Sequence, residues 1–186
     1  YEVRNIEYDS TEKSLEKLAA ETIPQAVEAC GEVKPIHFVT HSMGGILLRQ
    51  YLEHDEIGGL GRVVMLGPPN QGSEVIDSYE GFPGFSFFAG PAGLQLGTGE
   101  ASVPRSLGPV TFDVGVIAGT QSINPILSAI LPDTDDGKVS VESTRVEGMN
   151  DHLEMPVTHV FMMRDEEVFQ QVVHYLEYGT FLRGVN

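Results

Sequence analysis

Tryptophan is absent from this 186-residue chain, and Cys30 is its only cysteine. A single cysteine cannot form an internal disulfide, so a small disulfide-stabilised fold is excluded. No apolar run approaches the roughly 20 residues that a membrane-spanning helix needs. Basic residues are also scarce, since 11 Lys and Arg face 27 Asp and Glu, for a formal net charge of −16. A chain this acidic repels phosphate backbones, so nucleic acid is not an expected partner.

Apolar residues, in contrast, make up 41% of the chain and occur throughout it. This supply and the chain length predict one domain over residues 1–186 with a core of its own. The first residues, Tyr1-Glu2-Val3-Arg4, show no signal-peptide pattern. A cytoplasmic location is the resulting expectation, and a leader removed earlier would leave no trace in this sequence.

Short apolar runs alternate with amphipathic segments along the chain. Alternating apolar and polar residues predict a strand over Val3–Tyr8, and buried strands are predicted over Ile36–Thr40, Val63–Leu66 and Val114–Ala118. Helical spacing predicts helices over Leu15–Ala29, Ile46–Leu52 and Glu166–Tyr178. Strands that alternate with helices imply an α/β fold, in which helices cover both faces of a mainly parallel sheet.

Residues 71–109 interrupt this alternation with a stretch rich in Gly and Pro. A loop of this length is usually functional or disordered, and its aromatic residues argue against disorder. We expect it to form a cap in which Phe82, Phe85, Phe87 and Phe88 line a substrate pocket, because ligand pockets are mainly apolar and aromatic. Phenylalanines that simply fill a core under a loop are an equally good interpretation.

The strongest motif is Thr40-His41-Ser42-Met43-Gly44-Gly45, between a predicted strand and a predicted helix. A sharp strand-to-helix turn at this point can expose the Ser42 hydroxyl above the edge of the sheet. Free backbone N–H groups at the start of the helix, that of Met43 first, can stabilise an oxyanion. The simpler interpretation is that Ser42 caps the helix, but the whole motif favours a nucleophile.

Ser42, Met43 and Gly44 resemble the nucleophile elbow of the α/β-hydrolase superfamily, and the run from His41 to Ile46 is similar to its small bacterial lipase and esterase branch. Thr40 departs from that pattern, because the family usually has glycine there. The resemblance covers nearly the whole chain. It implies a carboxylic ester hydrolase that acts through a serine, a histidine and an aspartate, in the chain order Ser, Asp, His.

The acid and the base are assigned through the same resemblance. The run Asp136-Gly137-Lys138-Val139 resembles the acid loop of bacterial lipases, which indicates Asp136, with Asp135 as the alternative. His159 precedes the last helix, as the catalytic histidine of the family does, and His152 is the alternative.

The remaining histidines and acids suggest no other chemistry. His41 is interpreted as a packing neighbour of the elbow, and His37, His54 and His174 as local hydrogen-bonding or surface residues. The aspartates around residue 135 do not fit the register of an EF-hand, and no zinc-ligand spacing is present. We therefore expect neither a metal nor an organic cofactor.

Three other functions remain open at this point. The same residues could transfer acyl groups or cleave thioesters, or the chain could be a non-catalytic binding module. In all enzymatic cases the expected partner is a small-molecule or lipid ester.

The binding-module alternative has a specific basis. In the family that this chain resembles, a strand and a loop that supplies a second oxyanion donor precede the region that begins at Tyr1. In that family the missing strand lies in the sheet between the strands that correspond to Val3–Tyr8 and Ile36–Thr40. Without it, Val3–Tyr8 would have no strand beside it to pair with, and unpaired strand edges favour association between chains. A homo-oligomer or a weakened enzyme is the expectation that follows.

Overall fold

The computed structural model of the chain describes residues 1–79, 85–123, 128–131 and 134–184. Four parallel strands form its sheet in the order of the chain: β1 (Ile36–His41), β2 (Leu60–Leu66), β3 (Val114–Gly119) and β4 (Asp151–Met155). Because all four strands point the same way, the loops that follow them meet at one edge.

The helices of the described residues lie before, between and after the strands, with three of them between β2 and β3. They are α1 (Leu15–Cys30), α2 (Met43–Leu52), α3 (Glu74–Tyr79), α4 (Phe85–Leu94), α5 (Val103–Ser106) and α6 (Glu166–Tyr178), with short 3₁₀ turns at Glu142–Thr144 and Met162–Arg164. Local sequence explains the bounds of α6. The Asp165 carboxylate accepts hydrogen bonds from the backbone of Glu167 and Val168, and Gly179 ends the helix in a left-handed conformation.

Two hydrophobic layers cover the two faces of the sheet. On one face, Phe38, Met65 and Val116 pack with residues of α1 and α2. On the other face, Val64 and Ile117 pack against α6. The predicted α/β fold, with a mainly parallel sheet and helices on both sides, is therefore confirmed.

A third hydrophobic cluster joins the region expected to form the cap to the rest of the chain. Ala92, Leu96 and Val103 pack against α1 and α2. Phe82 lies outside the described residues, as do the side chains of Phe85, Phe87 and Phe88, although the backbone of the latter three belongs to α4. A pocket lined by these four phenylalanines remains a prediction.

The strand predicted over Val3–Tyr8 is wrong, because this segment has no regular secondary structure and forms no ladder with the described strands. It is held by side chains instead. The Arg4 guanidinium donates to the carbonyl oxygen of Ala29 at 3.2 Å, and the Tyr1 ring lies 5.7 Å from that of His37. Alternation gives a strand only where a neighbouring backbone is within hydrogen-bonding reach.

The close packing around Gly115, beneath α6, leads to a prediction on stability. A Cβ atom at this position would lie 2.5 Å from the Tyr175 ring and 2.7 Å from the Phe181 ring. Gly115→Ala should therefore lower the free energy of unfolding by about 1–3 kcal/mol, as overpacking in cores does.

Urea denaturation of the variant, followed by circular dichroism, would measure this loss. Gly58→Ala is the matched control, because a Cβ at Gly58 meets nothing within 4 Å. Equal unfolding free energies for the two variants would contradict the packing argument.

Candidate active site

Ser42 stands in a sharp turn between β1 and α2. Its backbone has φ 53° and ψ −125°, and it is the one residue other than glycine with a positive φ in the described ranges. Such a conformation is unfavourable for a side chain and persists only where surrounding structure enforces it. Here the Ser42 N–H donates to the carbonyl oxygen of Leu66 at 2.8 Å, which fixes the turn to the end of β2.

The two glycines after Met43 provide the space that this turn needs. A Cβ at Gly45 would lie 3.2 Å from Pro68 and 3.3 Å from the Met65 sulfur. At Gly44 the nearest atom would be the Cβ of Thr40, at an ordinary contact distance of 3.6 Å. The departure from the glycine pattern at Thr40 is therefore tolerated, because the facing residue has no side chain.

A chain of hydrogen bonds connects Ser42, His159 and Asp136. The Ser42 Oγ lies 3.0 Å from His159 Nε2, and His159 Nδ1 lies 2.7 Å from Asp136 Oδ2. An ionised carboxylate can only accept, so Nδ1 carries the imidazole proton and Nε2 is free to accept the serine proton. The structure thus brings together the three side chains that the sequence assigned separately.

Asp136 is held in place by its own loop. Its second oxygen, Oδ1, accepts hydrogen bonds from the backbone N–H groups of Lys138 at 3.0 Å and Val139 at 2.8 Å. The backbone N–H of His159 also donates to the backbone carbonyl oxygen of Asp136 at 2.9 Å. Asp136 and His159 are only 2% and 3% exposed, so little water competes for the bond between them.

Two glycines that the sequence analysis did not identify make room for this pair. A Cβ at Gly67, which has φ 53°, would lie 3.0 Å from Asp136 Oδ2 and 3.1 Å from His159 Nδ1. At Gly119, a Cβ would lie 2.7 Å from that of Asp136. Each glycine follows or ends a strand at the edge that carries Ser42, and this position was the signal available in the sequence.

The alternative acid and base lie elsewhere. Asp135 accepts hydrogen bonds from the Ser128 hydroxyl at 2.9 Å and from the Gly137 N–H at 2.7 Å. His152 lies on β4, where its Nε2 contacts the Thr144 hydroxyl at 2.9 Å. Neither residue forms a hydrogen bond with Ser42 or His159.

The other candidate groups have local contacts. Met43 is the first residue of α2, so its N–H has no carbonyl partner within the helix. His37 accepts a hydrogen bond from the Arg62 N–H at 2.8 Å, and the imidazole of His174 contacts the carbonyl oxygen of Thr180.

The described residues contain no group of three or more His, Cys, Asp or Glu that could bind a metal ion. In the same part of the chain, no helix is long and apolar enough to cross a membrane.

Comparison with solved structures identifies the architecture. A lipase from Bacillus licheniformis in its mature form superimposes with a TM-score of 0.66 at 18% identity, over 89% of this chain and 75% of that one. The chain has an α/β-hydrolase fold. Phospholipase PlaB from Legionella pneumophila superimposes with a TM-score of 0.59 at 17% identity, over 92% of this chain.

The present chain spans only part of these proteins. It covers 42% of the propeptide form of the Bacillus lipase and 48% of the Legionella phospholipase. No protein-family model and no curated protein sequence matches it significantly. At this level of identity the comparisons establish the fold, which fits the resemblance found in the sequence.

The environment of His152 generates a prediction on pH. Burial, with the nearby charge of Arg145, lowers the pKa of His152 to about 4 in the folded chain, whereas the ordinary value is about 6.5. Above pH 6.5 both states are neutral at this residue. As the pH falls from about 6.5 to about 4, only the unfolded chain takes up the proton, so the folded state loses stability.

His152→Gln should therefore lose less stability than the wild type over this interval, and the two curves should run parallel above pH 7. Urea denaturation at half-unit pH steps measures the difference. His54→Gln is the control, because the side chain of His54 is exposed. Parallel curves for the wild type and His152→Gln from pH 7 to pH 4 would contradict the prediction.

Proposed function

We propose that the chain is a serine hydrolase that cleaves carboxylic esters through Ser42, His159 and Asp136. The observation that carries this proposal is the pair of hydrogen bonds, 3.0 Å and 2.7 Å long, that links the three side chains. An activated nucleophile has this arrangement, in which a base contacts the hydroxyl and a third group orients the base. The lipase and phospholipase with the same fold support it.

In the first half of the reaction, the Ser42 Oγ attacks the acyl carbonyl carbon while its proton passes to His159 Nε2. The carbonyl π electrons move to its oxygen, and the Met43 N–H stabilises that oxyanion. Asp136 stabilises the imidazolium through the proton on Nδ1. The intermediate collapses, the bond to the alkoxy oxygen breaks, and His159 gives its proton to the departing alcohol.

In the second half, water replaces the alcohol. His159 Nε2 takes a proton from the water as its oxygen attacks the acyl-enzyme carbonyl. Collapse of this second intermediate returns the proton to Ser42 Oγ and releases the carboxylic acid. The chemistry of this cycle requires neither a metal nor an organic cofactor.

Apolar side chains next to His159 support an acyl substrate. Val160, Phe161 and Met163 lie within the four residues after it in the chain and are 45%, 54% and 57% exposed. Exposed large apolar side chains beside a reacting group are suited to contact an apolar acyl chain. In this proposal, residues 71–109 form the cap of the single domain, and Phe82, Phe85, Phe87 and Phe88 contact the acyl chain.

The proposal predicts the effects of replacing the three residues. Ser42→Ala and His159→Ala should each lower kcat for p-nitrophenyl esters by about 10⁶-fold, because the triad acts as a unit. His152→Ala, the matched histidine control, should retain most of the activity. Thermal melts would show that each variant is folded. An inactive His152→Ala together with an active His159→Ala would refute the assignment of the base.

Two adjacent aspartates offer an equally close test of the acid. Asp136 and Asp135 are both buried and are consecutive residues of the same loop. Asp136→Asn should lower kcat by about 10⁴-fold, because an amide at this position favours the wrong imidazole tautomer. Asp135→Asn should leave kcat within a few-fold of the wild type, and the opposite result would assign the role to Asp135.

The substrate panel should contain short- and long-chain esters, acyl thioesters and an added alcohol as acyl acceptor. Faster turnover of thioesters, or transfer to the alcohol in preference to water, would indicate a thioesterase or an acyltransferase. Binding without any turnover that depends on Ser42 would leave the binding-module alternative.

A further inference from the structure

His41 contacts the proposed base directly, although it takes no part in the proposed proton transfers. It is the last residue of β1 and immediately precedes Ser42. Its Nε2 lies 2.9 Å from the carbonyl oxygen of His159, and the centroids of the two rings are 4.7 Å apart with 48° between their planes. One residue of the elbow thus contacts both the backbone and the ring of the residue that would activate Ser42.

The partner of His41 fixes its tautomer. A carbonyl oxygen can only accept, so His41 Nε2 must carry the proton and donate it. Burial is the main cause that lowers the pKa of His41 to about 4, and the neighbouring charge of His159 acts in the same direction. At neutral pH His41 is therefore an uncharged hydrogen-bond donor.

This donor completes the support of the His159 backbone. The His159 N–H donates to the Asp136 carbonyl oxygen at 2.9 Å, and the His159 carbonyl oxygen accepts from His41. His159 lies in the loop between β4 and α6, so no ladder of the sheet holds it. Its main chain is fixed by these two contacts, one from the acid loop and one from the nucleophile turn.

We propose that His41 is a positioning residue that holds His159 at hydrogen-bonding distance from Ser42. This inference rests on the proposed function. Since His41 directly precedes Ser42 in the chain, any shift of the turn moves the donor that holds His159 and the proposed nucleophile together. The neutral ring also places no second positive charge next to His159 when the latter becomes an imidazolium.

A packing role and a positioning role make different demands on the side chain. Packing requires a ring of similar size, whereas positioning requires a donor at the Nε2 position. His41→Phe keeps the ring and removes the donor. His41→Gln removes the ring but places an amide N–H near that position, and His41→Asn is too short to reach it.

The test compares steady-state kinetics and stability for these three variants. His41→Phe and His41→Asn should lower kcat about 10- to 100-fold with KM within about two-fold, because a misplacement of about 1 Å can cost on the order of 10²-fold. His41→Gln should recover most of the lost kcat. His37→Phe is the control, because it removes a ring hydrogen bond from the same strand away from Ser42.

A second measurement does not depend on turnover. The His159 Nδ1 proton, shared with Asp136, should give a downfield proton resonance. This resonance should be observed in the wild type and at the same position in His41→Gln, and it should be shifted or broadened in His41→Phe. If the wild type hydrolyses no ester, the proposed function fails, while this resonance still tests the positioning of His159.

Two results would overturn the inference. One is a kcat and a resonance in His41→Phe that equal those of the wild type. The other is a His41→Gln variant no better than His41→Asn by either measurement. If His41→Phe does not fold, the comparison of Gln with Asn, two amides that differ by one methylene, decides the question alone.

Discussion

The parallel pairing of the four strands is the constraint on which the candidate site depends. Parallel strands end at the same edge of a sheet, so the turn after β1, the glycines that follow β2 and end β3, and the loop after β4 all meet there. The Ser42 N–H extends the β1–β2 ladder by one bond to Leu66. The turn at Ser42 is therefore fixed relative to the sheet by the same kind of hydrogen bond that joins the strands.

Burial gives the bond between Asp136 and His159 its importance. A buried carboxylate is costly unless hydrogen bonds satisfy its oxygens, and both oxygens of Asp136 are satisfied within a short distance. The donors are the backbone N–H groups of Lys138 and Val139 in the same loop and the Nδ1–H of His159. Because Gly67 and Gly119 have no side chains, the pair can approach the strand ends closely. The hydrogen bonds to the Asp136 carboxylate thus come from its own loop and from His159, and the space for the Asp136–His159 pair comes from the glycines in another part of the chain.

What could be predicted from the sequence was mainly local. The turn at Ser42 is defined by six consecutive residues, and the central strands by apolar runs that need both faces covered. β4 was not predicted, because three of its five residues, Asp151, His152 and Glu154, are polar and its strand conformation comes from pairing with β3. Val3–Tyr8 shows the converse, since alternation without a ladder partner gives no strand. The contact of His41 with His159 joins residues 118 positions apart, and no local pattern reveals it.

The backbone of Ser42 has a consequence for how such a chain can change. A non-glycine residue in this conformation carries about 1–3 kcal/mol of strain, which the rest of the fold must offset. Glycine would relieve the strain at this position and remove the hydroxyl at the same time. Under the proposed function, selection for thermal stability alone would therefore favour loss of the nucleophile, and stability and activity would oppose each other at Ser42.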